Sequence, residues 1–230
     1  MLRLRASLLL ASLVILFSNS GAYADTLLVA NLTNAQENPP AIPTTTSTGS
    51  PRPASFGTAS FVLNNAMTAM TFSATVFNID FTGTQTADTN DNLIAAHIHA
   101  GPTVTPTTNG PVVWGFFGTP FNDNNPNDVV TTPFSSGVGG TISGKWDAPE
   151  GNNTTLTAQL PNILSGRSYI NFHTNQFPGG EARGTINVVP EPSGWLLFGT
   201  GIIGLYTAKL VSTSRGFPWP LRQRGRKRRC

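Results

Sequence analysis

The chain has 230 residues, only 11% of them charged, a formal net charge of +3 and one cysteine, Cys230 at the very end. Ten of the fourteen Lys and Arg residues lie before residue 6 or after residue 208, so residues 25–189 hold four cations (Arg52, Lys145, Arg167, Arg183) against ten carboxylates, a balance of −6. That excludes a basic surface able to neutralise a run of phosphates, hence nucleic acid as a partner, and it excludes a disulfide within this segment.

At the start of the chain, Arg3 and Arg5 precede an apolar stretch, 6–17, and Ala22-Tyr23-Ala24 supplies a small-x-small pattern. This is the form of a secretory signal peptide, residues 1–24, removed by signal peptidase after Ala24. The segment left, 25–189, is long enough for a core of domain size, and without disulfides an exported domain must rely on that core.

From residue 26 the apolar period is two rather than 3.6. Segments 26–33, 56–63, 68–79, 93–99, 112–117, 139–146, 154–160, 167–174 and 184–189 are rich in Thr, Val, Ile and Phe and alternate apolar with polar, as strands do. Between them, 39–55, 83–92, 101–110 and 121–133 are crowded with Pro, Gly, Asn and Thr and suit turns. No amphipathic helix is expected between the two ends. The pattern predicts an all-β fold, an antiparallel β-sandwich or barrel.

All three histidines fall in two of these segments: Ala95-Ala96-His97-Ile98-His99-Ala100-Gly101-Pro102, and Tyr169-Ile170-Asn171-Phe172-His173-Thr174-Asn175 followed by Phe177-Pro178-Gly179-Gly180-Glu181-Ala182-Arg183-Gly184. On a strand, His97 and His99 share one face and Ile94, Ala96 and Ile98 the other. Tyr169, Asn171 and His173 likewise lie opposite Ile170 and Phe172. If the two strands are neighbours, three imidazoles converge, with Glu181 or an Asp as a possible fourth group. Neutral imidazole is the commonest ligand for copper and zinc, and three protein ligands leave a position open. The competing reading is that His97, His99 and His173 hydrogen-bond backbone or one another and hold loops in place. Glu181 and Arg183 are spaced to share a face and form an ion pair that positions the second loop.

Together these two segments resemble the CHRD domain, as do Ala30-Asn31-Leu32, Gln36-Glu37-Asn38-Pro39-Pro40 and Gly57-Thr58-Ala59. The resemblance implies an immunoglobulin-like β fold and an extracellular location, and it carries no agreed biochemical activity.

Enzyme readings find little support. A copper/zinc superoxide dismutase site needs more histidines than the chain has, and no Gly-x-Ser-x-Gly elbow occurs. Residues 139–145 have the spacing of a phosphate loop, but Trp146 stands where Ser or Thr is required. The Asp/Asn-rich stretches 88–92 and 122–128 offer oxygen ligands for calcium, yet match no EF-hand spacing and read more simply as solvated turns.

The last part, 190–230, is a tail of another kind. Pro190-Glu191-Pro192 is followed by an apolar run, 195–211, with one charge, Lys209, and then by Arg222, Arg224, Arg226, Lys227, Arg228 and Arg229. The run is at the short limit of a transmembrane span, and the arginines would stay cytoplasmic. This order resembles the PEP-CTERM sorting signal of Gram-negative bacteria, which implies cleavage by an exosortase and release to the cell surface or an exopolysaccharide matrix. One departure is the stretch 212–221, which separates the span from most of the arginines. A plain C-terminal anchor is the alternative. The expectation is thus an exported, non-catalytic surface or matrix protein that binds polysaccharide or protein. The second expectation is a metal-binding or redox domain using copper or zinc at His97, His99 and His173.

Overall fold

Strict in–out alternation builds the first strands. In a computed structural model, which describes residues 24–190, strand β1 (Thr26–Thr33) buries Leu28, Ala30 and Leu32 and exposes Leu27, Val29 and Asn31. A pleated strand sends successive side chains to opposite faces, so this pattern commits one face to the core. Strands β2 (Phe56–Leu63) and β3 (Ala69–Phe77) pair antiparallel over eight positions, from Phe56 opposite Phe77 to Leu63 opposite Met70. Their turn is fastened by Asn64 Oδ1, which accepts from the backbone N–H of Thr68 at 2.8 Å.

The remaining strands are β4 (Leu93–Ala100), β5 (Val112–Phe117), β6 (Val130–Pro133), β7 (Gly139–Asp147), β8 (Ser168–Thr174), β9 (Ala182–Thr185) and β10 (Asn187–Val188). They join one antiparallel sheet in the order β5-β4-β8-β9-β1-β2-β3-β7-β6, with β10 also paired to β1. The sheet curls over on itself, bringing β5 across the core from β7 and β3. Trp114 of β5 stacks on Trp146 of β7 with ring centroids 5.5 Å apart and planes 4° apart, and Phe116 of β5 lies 4.6 Å from Phe72 of β3. The expected sandwich or barrel is realised as this half-barrel, closed around a core that includes Phe61, Ile98, Ile142, Ile170 and Phe172.

Three local expectations are corrected. Residues 154–160, expected as a strand, start a helix, α1 (Leu156–Leu164). Thr155 caps it by accepting from the N–H of Ala158 at 3.2 Å, and Leu156, Leu160 and Ile163 form a buried stripe at helical spacing. The Thr-Leu-Thr alternation at its start misleads because the 3.6 period emerges only over two turns. Within the expected loop 121–133, β6 forms as a mostly exposed edge strand against β7. Ile94 is 38% exposed rather than in the core, because a bulge between Leu93 and Ala95 breaks the alternation and lets Leu93 turn inward instead.

The signal peptide, Glu191-Pro192 of the sorting motif, the 195–211 span and the basic cluster lie outside the described residues. Among the described residues no helix is long and apolar enough to cross a membrane.

Candidate metal centre

Strands β4 and β8 are immediate neighbours, so the two histidine segments do meet. His97 pairs across the ladder with Asn171, His99 with Tyr169, and His173 with Ala95. Opposed positions and their diagonals on one face lie within side-chain reach. His97 is 4.9 Å from His173 by ring centroid, and His99 lies 5.9 and 6.0 Å from the two. One nitrogen from each ring falls within 4.8 Å of the others, and among the described residues this is the one group of His, Cys, Asp or Glu placed to hold a metal ion.

The histidine face is opposite the core but not open to water. Three loops cover it, and each supplies a carbonyl to one ring: His97 Nε2 to Thr119 O at 3.1 Å, His99 Nδ1 to Gly110 O at 2.9 Å, and His173 Nδ1 to Pro178 O at 3.0 Å. A carbonyl can only accept, so each of these nitrogens carries the proton. Neutral imidazole has one N–H, which leaves lone pairs on His97 Nδ1, His99 Nε2 and His173 Nε2. Two of them, His97 Nδ1 and His173 Nε2, stand 3.2 Å apart, and the third is buried without a partner among the described residues.

Protonation is an expensive way to relieve that confrontation. Burial, reinforced by the neighbouring rings, pulls His97 down to about 3. Burial pulls His99 to about 4 and lowers His173 as well. The rings are therefore neutral at pH 7, the form that binds metals. Zinc holds nitrogens at about 2.0–2.1 Å, which places ligand atoms about 3.3 Å apart around a tetrahedral ion. One pair, His97 Nδ1 and His173 Nε2 at 3.2 Å, already has that spacing, and one nitrogen from each ring lies within 4.8 Å of the others. The carbonyl on each ring's other nitrogen matches the outer shell that orients metal-binding histidines.

The flank of the cluster is tied down by cation and aromatic stacking. His99 lies on Tyr169 with centroids 4.7 Å apart and planes 6° apart, and the Arg183 guanidinium sits 3.6 Å over the other partner of that stack, the Tyr169 ring. Arg183 then donates to Asn109 Oδ1 and to the carbonyls of Thr105 and Thr108, fastening the 101–110 loop.

Glu181 and Arg183 do not form the expected ion pair, nor does Glu181 join the histidines. The Glu181 carboxylate is fully buried and receives both terminal nitrogens of Arg52, at 2.7 and 2.6 Å, and the hydroxyls of Ser55 and Thr174. Arg52 lies in the stretch 39–55, which carries no strand pattern. Its one visible signal is scarcity, since a domain with four cations and ten carboxylates leaves few guanidiniums to a buried acid. Gly180, at φ +132°, is obligatory at this turn: a Cβ there would lie 2.4 Å from Asn171 Nδ2 and 2.6 Å from Glu37 Oε1. Glu37 is the other buried acid at this edge, raised by burial to about 7.

The Asp/Asn-rich stretches behave as turns. Asp88 Oδ1 accepts from the backbone of Ser47 and Asn90, and Asp123 Oδ2 from that of Asp128 and Val129.

A family model described as the CHRD domain matches residues 28–186. No curated protein and no solved structure matches the chain.

Proposed function

The chain belongs to the CHRD family, and from that premise we propose that it is an exported domain holding one copper or zinc ion at His97, His99 and His173. One observation carries this reading. Three carbonyls take the N–H of each ring, so three lone pairs face one another in a buried space, two of them at 3.2 Å. Left as neutral rings, His97 and His173 repel; a shared cation turns that repulsion into coordination. Purified full-length chain should carry one equivalent of zinc or copper, and His97→Ala should abolish it. Sub-stoichiometric metal, unchanged in His97→Ala, would end this reading and leave the histidines as loop fasteners.

The setting we infer is the cell surface or an extracellular matrix, with a non-catalytic role and a polysaccharide or protein as partner. Support comes from the Ala22-Tyr23-Ala24 cleavage pattern, from Pro190-Glu191-Pro192 ahead of the apolar run and arginines, and from the −6 balance of residues 25–189. Signal peptidase and an exosortase are the processing partners in this reading, with transient anchoring in the inner membrane by the C-terminal tail. Deleting residues 190–230 should move the protein out of the surface fraction, and continued arrival there would refute the sorting role.

A further inference from the structure

Beside the three imidazoles lies a polar group that none of the described residues satisfies. Asn171 is 1% exposed, stands directly opposite His97 across the β4–β8 ladder, and shares a strand face with His173. Its carbonyl oxygen, Oδ1, is buried and has no hydrogen-bond donor among the described residues. A buried acceptor left alone costs roughly 1–3 kcal/mol. The donors around it are already directed elsewhere: His97 and His173 to the carbonyls of Thr119 and Pro178, and Arg183 to Asn109, Thr105 and Thr108. Its amide nitrogen points to the other side, into the crowded space over Gly180 beside Glu37.

We infer that Asn171 is a positioning residue of the metal centre: its Oδ1 accepts a hydrogen bond from a water molecule bound to the ion, which fills the fourth coordination position. This rests on the three-histidine reading and deepens it. Three neutral imidazoles leave a divalent ion one ligand short of a tetrahedron, and a metal-bound water is an acidic donor that lacks an acceptor unless the site provides one. Asn171 stands directly across the ladder from His97, and among the described residues its buried Oδ1 has no partner. The orphaned oxygen and the open position thus answer each other. Because an amide is neutral, the centre keeps the full charge of the ion, and the bound water is held without a carboxylate to take its proton.

The test uses full-length chain purified in detergent, with Zn²⁺ for affinity and Co²⁺ as a spectroscopic probe, in the natural protein and in Asn171→Ala, Asn171→Asp and His97→Ala. In Asn171→Ala the Zn²⁺ dissociation constant should rise about 10–100-fold, the effect of losing an outer-shell partner. The pH at which the Co²⁺ absorption spectrum changes, which reports loss of a proton from bound water, should move downward, because the lost acceptor had favoured the water over the hydroxide. Asn171→Asp restores an acceptor and should bring the affinity back to at least its original value. Should Asn171→Ala fail to fold, Asn171→Asp carries the test alone: a carboxylate beside the water opposes a second negative charge, so the spectral midpoint should rise, and an unmoved midpoint would overturn the role. Natural affinity and an unchanged Co²⁺ spectrum in Asn171→Ala, with binding lost in His97→Ala, would overturn the role of Asn171 while leaving the metal centre intact. Failure of the unaltered chain to take up either ion would overturn both.

Discussion

Removing the Glu181 carboxylate tests how the long 39–55 stretch is held to the sheet. Glu181 has no exposed surface, and the side chain of Arg52 is 6% exposed, so the pair is shielded from water on both sides. In Glu181→Ala the guanidinium loses two charged hydrogen bonds, at 2.7 and 2.6 Å, and the hydroxyls of Ser55 and Thr174 lose their acceptor. Breaking a buried pair from one side costs about 3–5 kcal/mol, since the remaining charge stays desolvated. Here the lower half of that range applies, because Arg52 keeps Gln176 Oε1 at 2.8 Å and the carbonyl of Thr45 at 3.3 Å. The expected loss is therefore about 3–4 kcal/mol, or a melting point lower by roughly 10 °C for a domain of this size. Urea unfolding followed by tryptophan fluorescence measures it. The double variant Arg52→Met, Glu181→Met removes both charges together and should recover at least about 2 kcal/mol of the summed single losses. A loss below about 1 kcal/mol in Glu181→Ala, with additive single changes, would mean that the clamp does not hold the loop.

Acid should weaken the fold through the histidines. Unfolded rings protonate near 6.5 but the native His97 and His99 only near 3 and 4, so below about pH 6.5 the unfolded state binds more protons and stability falls. Glu37 and Asp123, raised by burial to about 7 and about 6, act in the opposite sense, gaining stability as the pH drops toward the ordinary carboxylate range. Urea midpoints between pH 7 and 4 should fall more steeply for the natural chain than for His97→Asn, His99→Asn, and equal slopes would contradict the assignment. Gly115→Ala would put a Cβ 1.8 Å from the carbonyl oxygen of Pro120, beside the turn whose Thr119 carbonyl orients His97. It should cost about 2 kcal/mol and weaken Zn²⁺ binding, whereas full retention of both would show that the turn yields freely. Trp146→Phe removes the indole donor to the Glu150 carbonyl, 2.8 Å away, and half of the stack on Trp114. A loss of about 1–3 kcal/mol in thermal unfolding is expected, and no loss would mean that β5 and β7 are not held together there.

Part of the centre is legible in the order of residues alone. His97 and His99 sit two residues apart in a strand, so their shared face follows from the pleat, and the same holds for Asn171 and His173. The strand ranges 26–33, 56–63 and 112–117 coincide with β1, β2 and β5, because alternation is a local property. Where local signals conflict, the pattern misleads: α1 begins in a threonine-rich stretch that alternates like a strand, and the bulge at Leu93–Ala95 turns Ile94 outward. The Glu181–Arg183 pairing fails for a different reason. Spacing places two side chains on one face but says nothing of a third residue arriving from elsewhere, and Arg52 stands 129 positions away from Glu181.

Period-two patterning by itself determined the all-β fold class and the shared strand faces of His97 with His99 and of Asn171 with His173. Only the tertiary structure placed β4 beside β8 and closed three loops over the histidine face. Only there do Thr119, Gly110 and Pro178 choose the tautomers, and only there is Asn171 Oδ1 left alone among the described residues. Those contacts join residues far apart along the chain, and their free energy comes from burial and hydrogen-bond closure in the folded state, which leaves no local trace in the order of amino acids.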